Sequence, residues 1–294
     1  MSVAHDKNKL DITFVTTCKG RLHHIKRTLP LLVSESPAAI IVVDYGCPDD
    51  VGAWVEQHYP SVKVVRVDDD PGFCVARARN IGARHVDTDW ICFIDADVTI
   101  KSGWINWMAS NLDSRFFYRA GFINGTRDEE TWGTFICTRK VFEQSEGFDE
   151  VYRGWGGEDD DLYRRLVFLG LAESHYPADY VDAIKHDDAE RLVYYKEKDR
   201  KIHYCINSFY REAKLQIMMV QSRSYHPPLE VRQDIMNKIK ESLLDWKGLD
   251  SNELPSFSFS TSGMGWMPKP YRMHKKLTFT LSMQMIPDNG LRGS

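Results

Sequence analysis

The chain has 294 residues, of which 43% are hydrophobic and 27% charged, and its formal net charge at pH 7 is −4. This length allows one large domain or two modest ones, and the composition is that of an ordinary globular protein. The mild acidity excludes a general affinity for nucleic acid, although local basic segments leave anionic small molecules open as ligands.

The cysteines and the apolar runs predict a cytoplasmic protein. The six cysteines form no CxxC pair and several lie within apolar runs, which favours free buried thiols in a reducing compartment over a disulfide framework. The opening MSVAHDKNKL lacks the apolar core of a signal peptide, and no stretch reaches the ~18 uncharged apolar residues of a membrane span.

The first hundred residues alternate between strand and helix patterns. Strands are predicted at 10–17, 38–45, 62–67 and 90–95, with helices between them at 22–32, 48–58 and 73–86. This alternation predicts right-handed crossovers and a parallel sheet, and the apolar strands predict that helices cover both faces. The predicted fold class is therefore α/β.

The pattern is less regular beyond residue 115. A helix is predicted at 160–171, and residues 191–294 are expected to form a mainly helical extension whose last 45 residues show no clear period. Within that extension, MPKPYRMHKKLTF carries basic residues among aromatics and Met. This composition is compatible with weak binding to anionic lipid, and a solvated tail is the alternative.

Polar and acidic residues follow each predicted strand of the first hundred residues. They are Thr16, Thr17 and Arg21 after the first strand, Asp44 after the second, Asp68–Asp70 after the third, and Asp95-Ala96-Asp97 after the fourth. Ligands of open parallel sheets collect at the carboxyl ends of the strands, so we expect a binding site at this edge.

Two carboxylates separated by one residue, Asp95 and Asp97, offer the oxygen ligands that Mg2+ and Mn2+ prefer. A strand-ending turn is the structural alternative, because Asp is common there. The first strand is followed neither by GxGxxG nor by GxxxxGK[ST], which argues against a dinucleotide-binding Rossmann domain and a P-loop.

Six segments, in this order, resemble nucleotide-sugar glycosyltransferases of the GT-A fold, family 2-like. They are FVTTCKGR, VVDYGCPDD, ARARNIGA, FIDADV, GFDEVYRGWGGEDDDLYRRL and IKHDD. The stretch at 147–161 further resembles the carboxyl-terminal segment of β4-galactosyltransferases and of bacterial chondroitin-type polymerase domains. The resemblance covers roughly residues 10–190.

The resemblance implies a Rossmann-like GT-A fold with a mixed, mainly parallel sheet flanked by helices. Residues 1–190 would be the catalytic domain. Residues 191–294 lie outside the resemblance, and for them an acceptor lid, an oligomer interface and a peripheral contact on the inner face of the membrane are the open alternatives.

The resemblance also implies roles for individual residues. The expected roles are a nucleotide pocket at Thr16, Thr17 and Arg21, a uracil contact at Asp44, a diphosphate contact at Arg79, a ribose or metal contact at Asp95, and metal ligands at Asp97 and His186. Trp155 and Glu158 would contact the acceptor or the donor sugar, and Ala96 and Gly156 would also contact the donor. Asp159 would be the catalytic base, with Glu158 as the second catalytic residue. An acidic helix start is the alternative for the acids, and an ordinary loop histidine the alternative for His186.

One departure from the family concerns the metal. The galactosyltransferases have a Met ligand three residues before the His, and Ala183 stands there in this chain. The expected cofactor is therefore either Mn2+ or Mg2+.

The implied activity is inverting transfer of a hexose or N-acetylhexosamine from a UDP-sugar to a hydroxyl of a glycan, lipid-linked or glycoconjugate acceptor, as in polysaccharide biosynthesis. Two alternatives stay open at this point: a nucleotidyltransferase that makes an activated sugar, and a catalytically inactive sugar-binding domain. A retaining mechanism is disfavoured, because the retaining relatives carry Asn after WGGE.

Overall fold

The computed structural model describes residues 10–221, 226–244, 246 and 254–284. The chain divides into two compact units between Lys198 and Asp199. This division lies a few residues after the boundary expected at 190, within the segment that the sequence predicted to begin the helical extension.

The first unit contains a large sheet, a small sheet and the helices around them. Its strands are β1 (Ile12–Cys18), β2 (Ala39–Asp44), β3 (Lys63–Arg66), β4 (Trp90–Phe93), β5 (Val98–Ile100), β6 (Phe116–Ala120), β7 (Phe135–Thr138), β8 (Ala172–Tyr176) and β9 (Val181–Ala183). Its helices are α1 (Leu22–Ser34), α2 (Val51–His58), α3 (Val75–Ala83), α4 (Trp104–Asn111), α5 (Arg139–Gln144), α6 (Glu158–Phe168) and α7 (Asp188–Leu192).

The large sheet has the strand order β3-β2-β1-β4-β7-β6-β8 among the described residues. Strands β1 to β4 are mutually parallel where they pair, β7 runs antiparallel to both β4 and β6, and β6 is parallel to β8. The predicted α/β class with a mixed, mainly parallel sheet is confirmed.

Both faces of the large sheet are buried. Successive residues of β1 face opposite sides, so that Phe14 packs in one apolar cluster and Val15 in the other. Helix α3 lies directly against the second face, since a Cβ on Gly82 would come within 2.5 Å of Val15. This close packing fixes the distance between the sheet and α3, which carries polar residues.

Helix α2 begins later than its sequence predicts. Pro48 and Asp49 lie in the preceding turn, and Asp50 has a left-handed backbone with φ of 52°. The Asp44 carboxylate accepts the backbone N–H groups of Cys47 and Gly52, at 2.9 and 3.0 Å. These bonds hold the turn in a non-helical form up to Val51, where α2 starts.

The second unit contains helices α8 (Arg200–Gln221) and α9 (Leu229–Leu244) and a hairpin of β10 (Ser256–Gly265) and β11 (Met273–Ser282). The helices agree with the sequence pattern, and the hairpin was not predicted. Buried Phe257 and Phe259 alternate with exposed serines along β10, and Phe257 packs on Phe209 of α8 with ring centroids 4.8 Å apart.

The turn of this hairpin exposes aromatic side chains. Trp266 is 83% exposed and Tyr271 is 69% exposed. Tyr271 lies within the basic segment whose composition is compatible with lipid contact, and Trp266 directly precedes that segment. That contact stays a prediction. In the part of the chain that the structure describes, no helix is both long enough and apolar enough to cross a membrane.

Candidate active site

The small sheet brings together two residues far apart in sequence, Asp97 and His186. Strands β5 and β9 pair antiparallel, with Val98 opposite Ala183, and the N–H of Ile184 donates to the Asp97 carbonyl at 2.7 Å. The two side chains then meet, with His186 Nε2 2.6 Å from Asp97 Oδ2.

Charge is concentrated on the Asp97 carboxylate. Arg21 Nη1 donates to the same oxygen, Oδ2, at 2.7 Å. Burial opposes ionisation of Asp97, but the hydrogen bond from His186 and the Arg21 charge outweigh it and lower the Asp97 pKa. The bond to Asp97 in turn raises the His186 pKa above its ordinary value.

The residues around Asp97 fit a divalent cation. Asp97 supplies an oxygen donor and His186 a nitrogen donor, both nearly buried, at 12% and 5% side-chain exposure. His186 Nδ1 lies 3.4 Å from the Asp187 carbonyl, which orients the ring with Nε2 toward Asp97. A mixed oxygen and nitrogen set suits a first-row ion such as Mn2+ better than Mg2+, which prefers oxygen throughout.

A second cluster surrounds Arg79 of α3, which is only 3% exposed. Its Nη2 donates to Asp95 Oδ1 at 2.6 Å, and its Nη1 donates to Asp159 Oδ1 at 2.8 Å and to Glu158 Oε1 at 3.3 Å. The resemblance assigned Arg79 to a diphosphate, but here both of its terminal nitrogens are engaged by carboxylates. The reason is that acids from β4 and α6 converge on it.

The acids at the start of α6 are buried and crowded. Gly156 and Gly157 precede the helix with φ of 77° and 94°, a backbone that glycine adopts without strain. Desolvation raises the pKa of Glu158 well above its ordinary value, and the neighbouring charge of Asp159 adds to this effect. Desolvation also raises the pKa of Asp159, while Arg79 opposes that rise. The crowding of these two buried acids therefore disfavours ionisation of both, and the Arg79 charge opposes that effect.

The residues expected to bind the nucleotide lie at the ends of β1 and β2. Thr16 and Thr17 are buried, and the Thr16 hydroxyl has no hydrogen-bond partner among the residues that the structure describes. Both Asp44 carboxylate oxygens accept backbone N–H groups of the following turn, so Asp44 is held inside its own loop rather than directed outward. Arg21 reaches Asp97 and thereby joins this region to the predicted metal site.

The expected sugar contacts flank the Arg79 cluster. Trp155 is half-buried on the glycine turn, and a Cβ on Gly156 would meet no atom within 4 Å. Ala96 is buried, and its carbonyl accepts the Thr28 hydroxyl at 3.0 Å. Gly133 packs against the ion pair itself, since its Cβ would lie 2.4 Å from Arg79 Nη2.

Sequence reasoning missed two residues beside the predicted metal ligands. His24 of α1 is 3% exposed, and its Nε2 lies 2.8 Å from Glu190 Oε1 on α7. The His24 and His186 ring centroids are 5.4 Å apart. The available signal was a histidine beside the apolar stripe of α1, which sequence alone does not distinguish from a core residue.

Sequence reasoning also missed a polar junction at Asp70. Tyr45 donates its hydroxyl to Asp70 Oδ2 at 2.7 Å, and Arg153 Nη1 donates to the same oxygen at 2.6 Å. Asp70 had been noted only as part of an acidic strand end. This junction ties the segment before the glycine turn to the ends of β2 and β3.

Comparison with known proteins finds sequence similarity to galactosyltransferases. A family model described as the N-terminal domain of galactosyltransferase matches residues 121–187. Human beta-1,4-galactosyltransferase 1 is 26% identical over an alignment of 162 residues that covers 48% of this chain and 39% of that protein. The chain thus spans about two fifths of the length of the curated relatives that it matches most strongly.

Solved structures share the architecture at low identity. A mannosyltransferase from Pyrobaculum calidifontis in complex with GDP-Man and Mn2+ has a TM-score of 0.55 and 16% identity, covering 81% of this chain and 74% of its own. GalNAc-T7 with UDP, GalNAc and Mn2+ has a TM-score of 0.53 and 14% identity, covering 83% and 58%. The GT-A fold is therefore confirmed. Together with the galactosyltransferase matches in sequence, it supports a glycosyltransferase that uses a nucleotide sugar.

Proposed function

We propose that this chain is an inverting, divalent-metal-dependent glycosyltransferase. It would transfer a hexose or N-acetylhexosamine from a UDP-sugar to a hydroxyl of a glycan, lipid-linked or glycoconjugate acceptor. One observation carries the proposal: Arg79 links Asp159 to Asp95, two residues from Asp97, and Asp97 contacts His186. The base and the metal ligands thus border one edge of the sheet.

The proposed metal site would act on the leaving diphosphate. Asp97 and His186 would hold the ion, with Asp95 as a further oxygen donor. When bound, the ion supplies positive charge against the negative charge that develops on the diphosphate. The Mn2+ and sugar nucleotides named for the structural neighbours favour this assignment.

The proposed base would act on the acceptor hydroxyl. Asp159 would accept the proton of the acceptor hydroxyl as its oxygen attacks the anomeric carbon from the face opposite the diphosphate, which inverts that carbon. Arg79 favours the ionised form of Asp159, and the raised pKa of Glu158 disfavours a second buried negative charge beside it. Trp155 offers an apolar face to a pyranose ring.

The test begins with purified protein, a panel of UDP-sugars, Mn2+ and candidate acceptors. We expect UDP release that EDTA abolishes and that Asp97→Ala removes. Asp159→Asn should lower turnover by roughly 10²–10⁴-fold while leaving UDP-sugar binding within a few-fold of the unaltered protein. Asp182→Asn, an exposed acid on β9, is the matched control and should leave turnover unchanged.

Other outcomes would contradict the proposal in distinct ways. Activity that survives both chelation and Asp97→Ala would refute the metal assignment. Loss of UDP-sugar affinity in Asp159→Asn would refute the base assignment. Pyrophosphate release from UTP and a sugar 1-phosphate would indicate a nucleotidyltransferase, and sugar binding without turnover would indicate an inactive domain.

A further inference from the structure

The β10–β11 hairpin is anchored at its base and exposed at its end. At the base, Phe257 is buried and packs on Phe209 of α8. Further along β10, a Cβ on Gly263 would lie 3.4 Å from the carbonyl oxygen of Val220, near the end of α8. Every residue from 266 to 274 is exposed. Residues 264–274 are termed the hairpin tip below.

Large apolar and aromatic side chains crowd the hairpin tip. Five are exposed there: Met264, Trp266, Met267, Tyr271 and Met273. The N–H of Tyr271 donates to the carbonyl of Pro268 at 3.0 Å, which closes the turn and keeps these side chains close together. Single exposed apolar residues are common, whereas a contiguous group of them is typical of an interaction surface.

Positive charge accompanies this apolar group. Residues 254–284 contain no Asp or Glu, and four basic residues lie in or directly after the tip: Lys269, Arg272, Lys275 and Lys276. Ser262 pairs with Lys276 and Met264 with His274, so Lys276 lies on the same sheet face as Met264, further from the turn. The hairpin is therefore a basic element of a chain whose net charge is −4.

We propose that the hairpin tip docks on the surface of an anionic lipid bilayer. Trp and Tyr favour the interface between lipid and water, and the flexible Met side chains fill spaces between acyl chains. Lys269 and Arg272 would contact lipid phosphates, and Lys275 and Lys276 would add attraction from behind the tip. The charge complementarity between a basic hairpin and an anionic surface selects this partner.

The composition and exposure of the tip argue against two other partners. A glycan is bound by side chains that hydrogen-bond its hydroxyls, but residues 264–274 include no Asp, Asn, Glu, Gln, Ser or Thr. A folded protein partner is bound most tightly through pockets that enclose buried anchors, whereas residues 266–274 are all exposed and enclose none. A lipid surface adapts to a protruding tip and needs no pocket.

The first test measures co-sedimentation of the full chain with vesicles. One set is phosphatidylcholine alone, and the other contains an equal amount of phosphatidylglycerol. We expect binding to the anionic set that is at least tenfold stronger and that is largely lost at about 0.5 M NaCl, because salt screens the attraction. Lys269→Gln combined with Arg272→Gln should weaken binding about thirtyfold. Arg84→Gln combined with Lys140→Gln removes two exposed charges of the first unit and is the matched control.

The second test addresses the apolar contribution. Trp266→Ala combined with Tyr271→Ala should weaken binding roughly tenfold or more, because less apolar surface enters the bilayer. Tyr204→Ala combined with Met219→Ala removes two exposed residues of α8 and should leave binding unchanged. Brominated lipid should quench the fluorescence of the unaltered protein more than that of Trp266→Phe, which isolates Trp266 from the other seven of eight Trp.

Several results would overturn the proposal. They are equal binding to neutral and anionic vesicles, no binding to either, and anionic binding that both tip variants retain. A dimer in sedimentation experiments that Trp266→Ala dissociates, without vesicle binding, would assign the tip to a second copy of the chain instead. Unchanged thermal midpoints of the variants would show that a loss of binding is not a loss of folding. None of these measurements needs a sugar nucleotide, so they are independent of the proposed transferase activity.

Discussion

Replacing Arg79 with Ala should destabilise the first unit in a pH-dependent manner. The change removes the cation that Asp95, Glu158 and Asp159 share. Asp95 is a quarter exposed and stays in contact with water, whereas Asp159 is a buried carboxylate that loses its partner. Removing one partner of a buried ion pair typically costs about 3–5 kcal/mol.

The structure gives an independent estimate of this cost. Asp159 relieves the loss of Arg79 by taking up a proton, and its ordinary pKa is 3.8. Protonating such a group costs about 4.4 kcal/mol at pH 7 and about 1.6 kcal/mol at pH 5, at 1.36 kcal/mol per unit. These figures are upper bounds on the deficit, because the Asp159 pKa is already raised in the unaltered protein. In the variant, the folded-state pKa of Asp159 lies above its unfolded value. The loss in free energy of unfolding therefore grows as pH rises from 4 toward 7.

The assay is urea or thermal unfolding of Arg79→Ala at pH 5 and pH 7, beside the unaltered protein. The thermal midpoint at pH 7 should fall by roughly 6–20 °C, and the deficit should shrink by about half or more at pH 5. Arg84→Ala, an exposed arginine next to the same helix, is the control and should stay within about 0.5 kcal/mol. A deficit below about 1 kcal/mol, or one equal at both pH values, would refute this account of the cluster.

Three further outcomes follow from the same region. Gly133→Ala would place a Cβ 2.4 Å from Arg79 and 2.5 Å from Asp95, so unfolding experiments should show a loss of about 1–3 kcal/mol. Gly156→Ala meets no neighbouring atom but has φ of 77°, so only backbone strain of about 1–2 kcal/mol should appear. If Asp159 is the base, turnover at saturating donor and Mn2+ should fall as pH drops through its raised pKa. A profile that stays flat down to pH 4 would contradict that role.

The four parallel strands β1 to β4 were predictable because they are short apolar runs separated by helical patterns, whereas β5 to β8 were not predicted. The hairpin of the second unit was not. Phe257 and Phe259 alternate with serines over only a few residues, and the pattern ends in a turn rich in Met, Trp and Pro. A short alternation of this kind is a weak signal against a background of polar residues.

The site was predictable in part, and the limit was side-chain pairing over long sequence distances. Asp97 and His186 were expected together from the resemblance, and the structure places them in contact. The resemblance assigns Arg79 to a diphosphate. Its hydrogen bond to Asp159, 80 residues away, could not be predicted, because no local sequence pattern reveals it. The His24 contact with Glu190 likewise depends on how α1 and α7 pack.

The reversed direction of β7 has a consequence for how this scaffold can diversify. Phe93 of β4 pairs with Phe135 of β7, and the two strands run in opposite senses. The segment at 121–134 therefore leads directly to the Asp95 turn without a crossover helix. Near the end of this segment, Gly133 packs against Asp95. Exchanging this segment for one of another length leaves the Phe93–Phe135 pairing intact. A change in this segment therefore acts on the Asp95 turn without passing through the Phe93–Phe135 pairing.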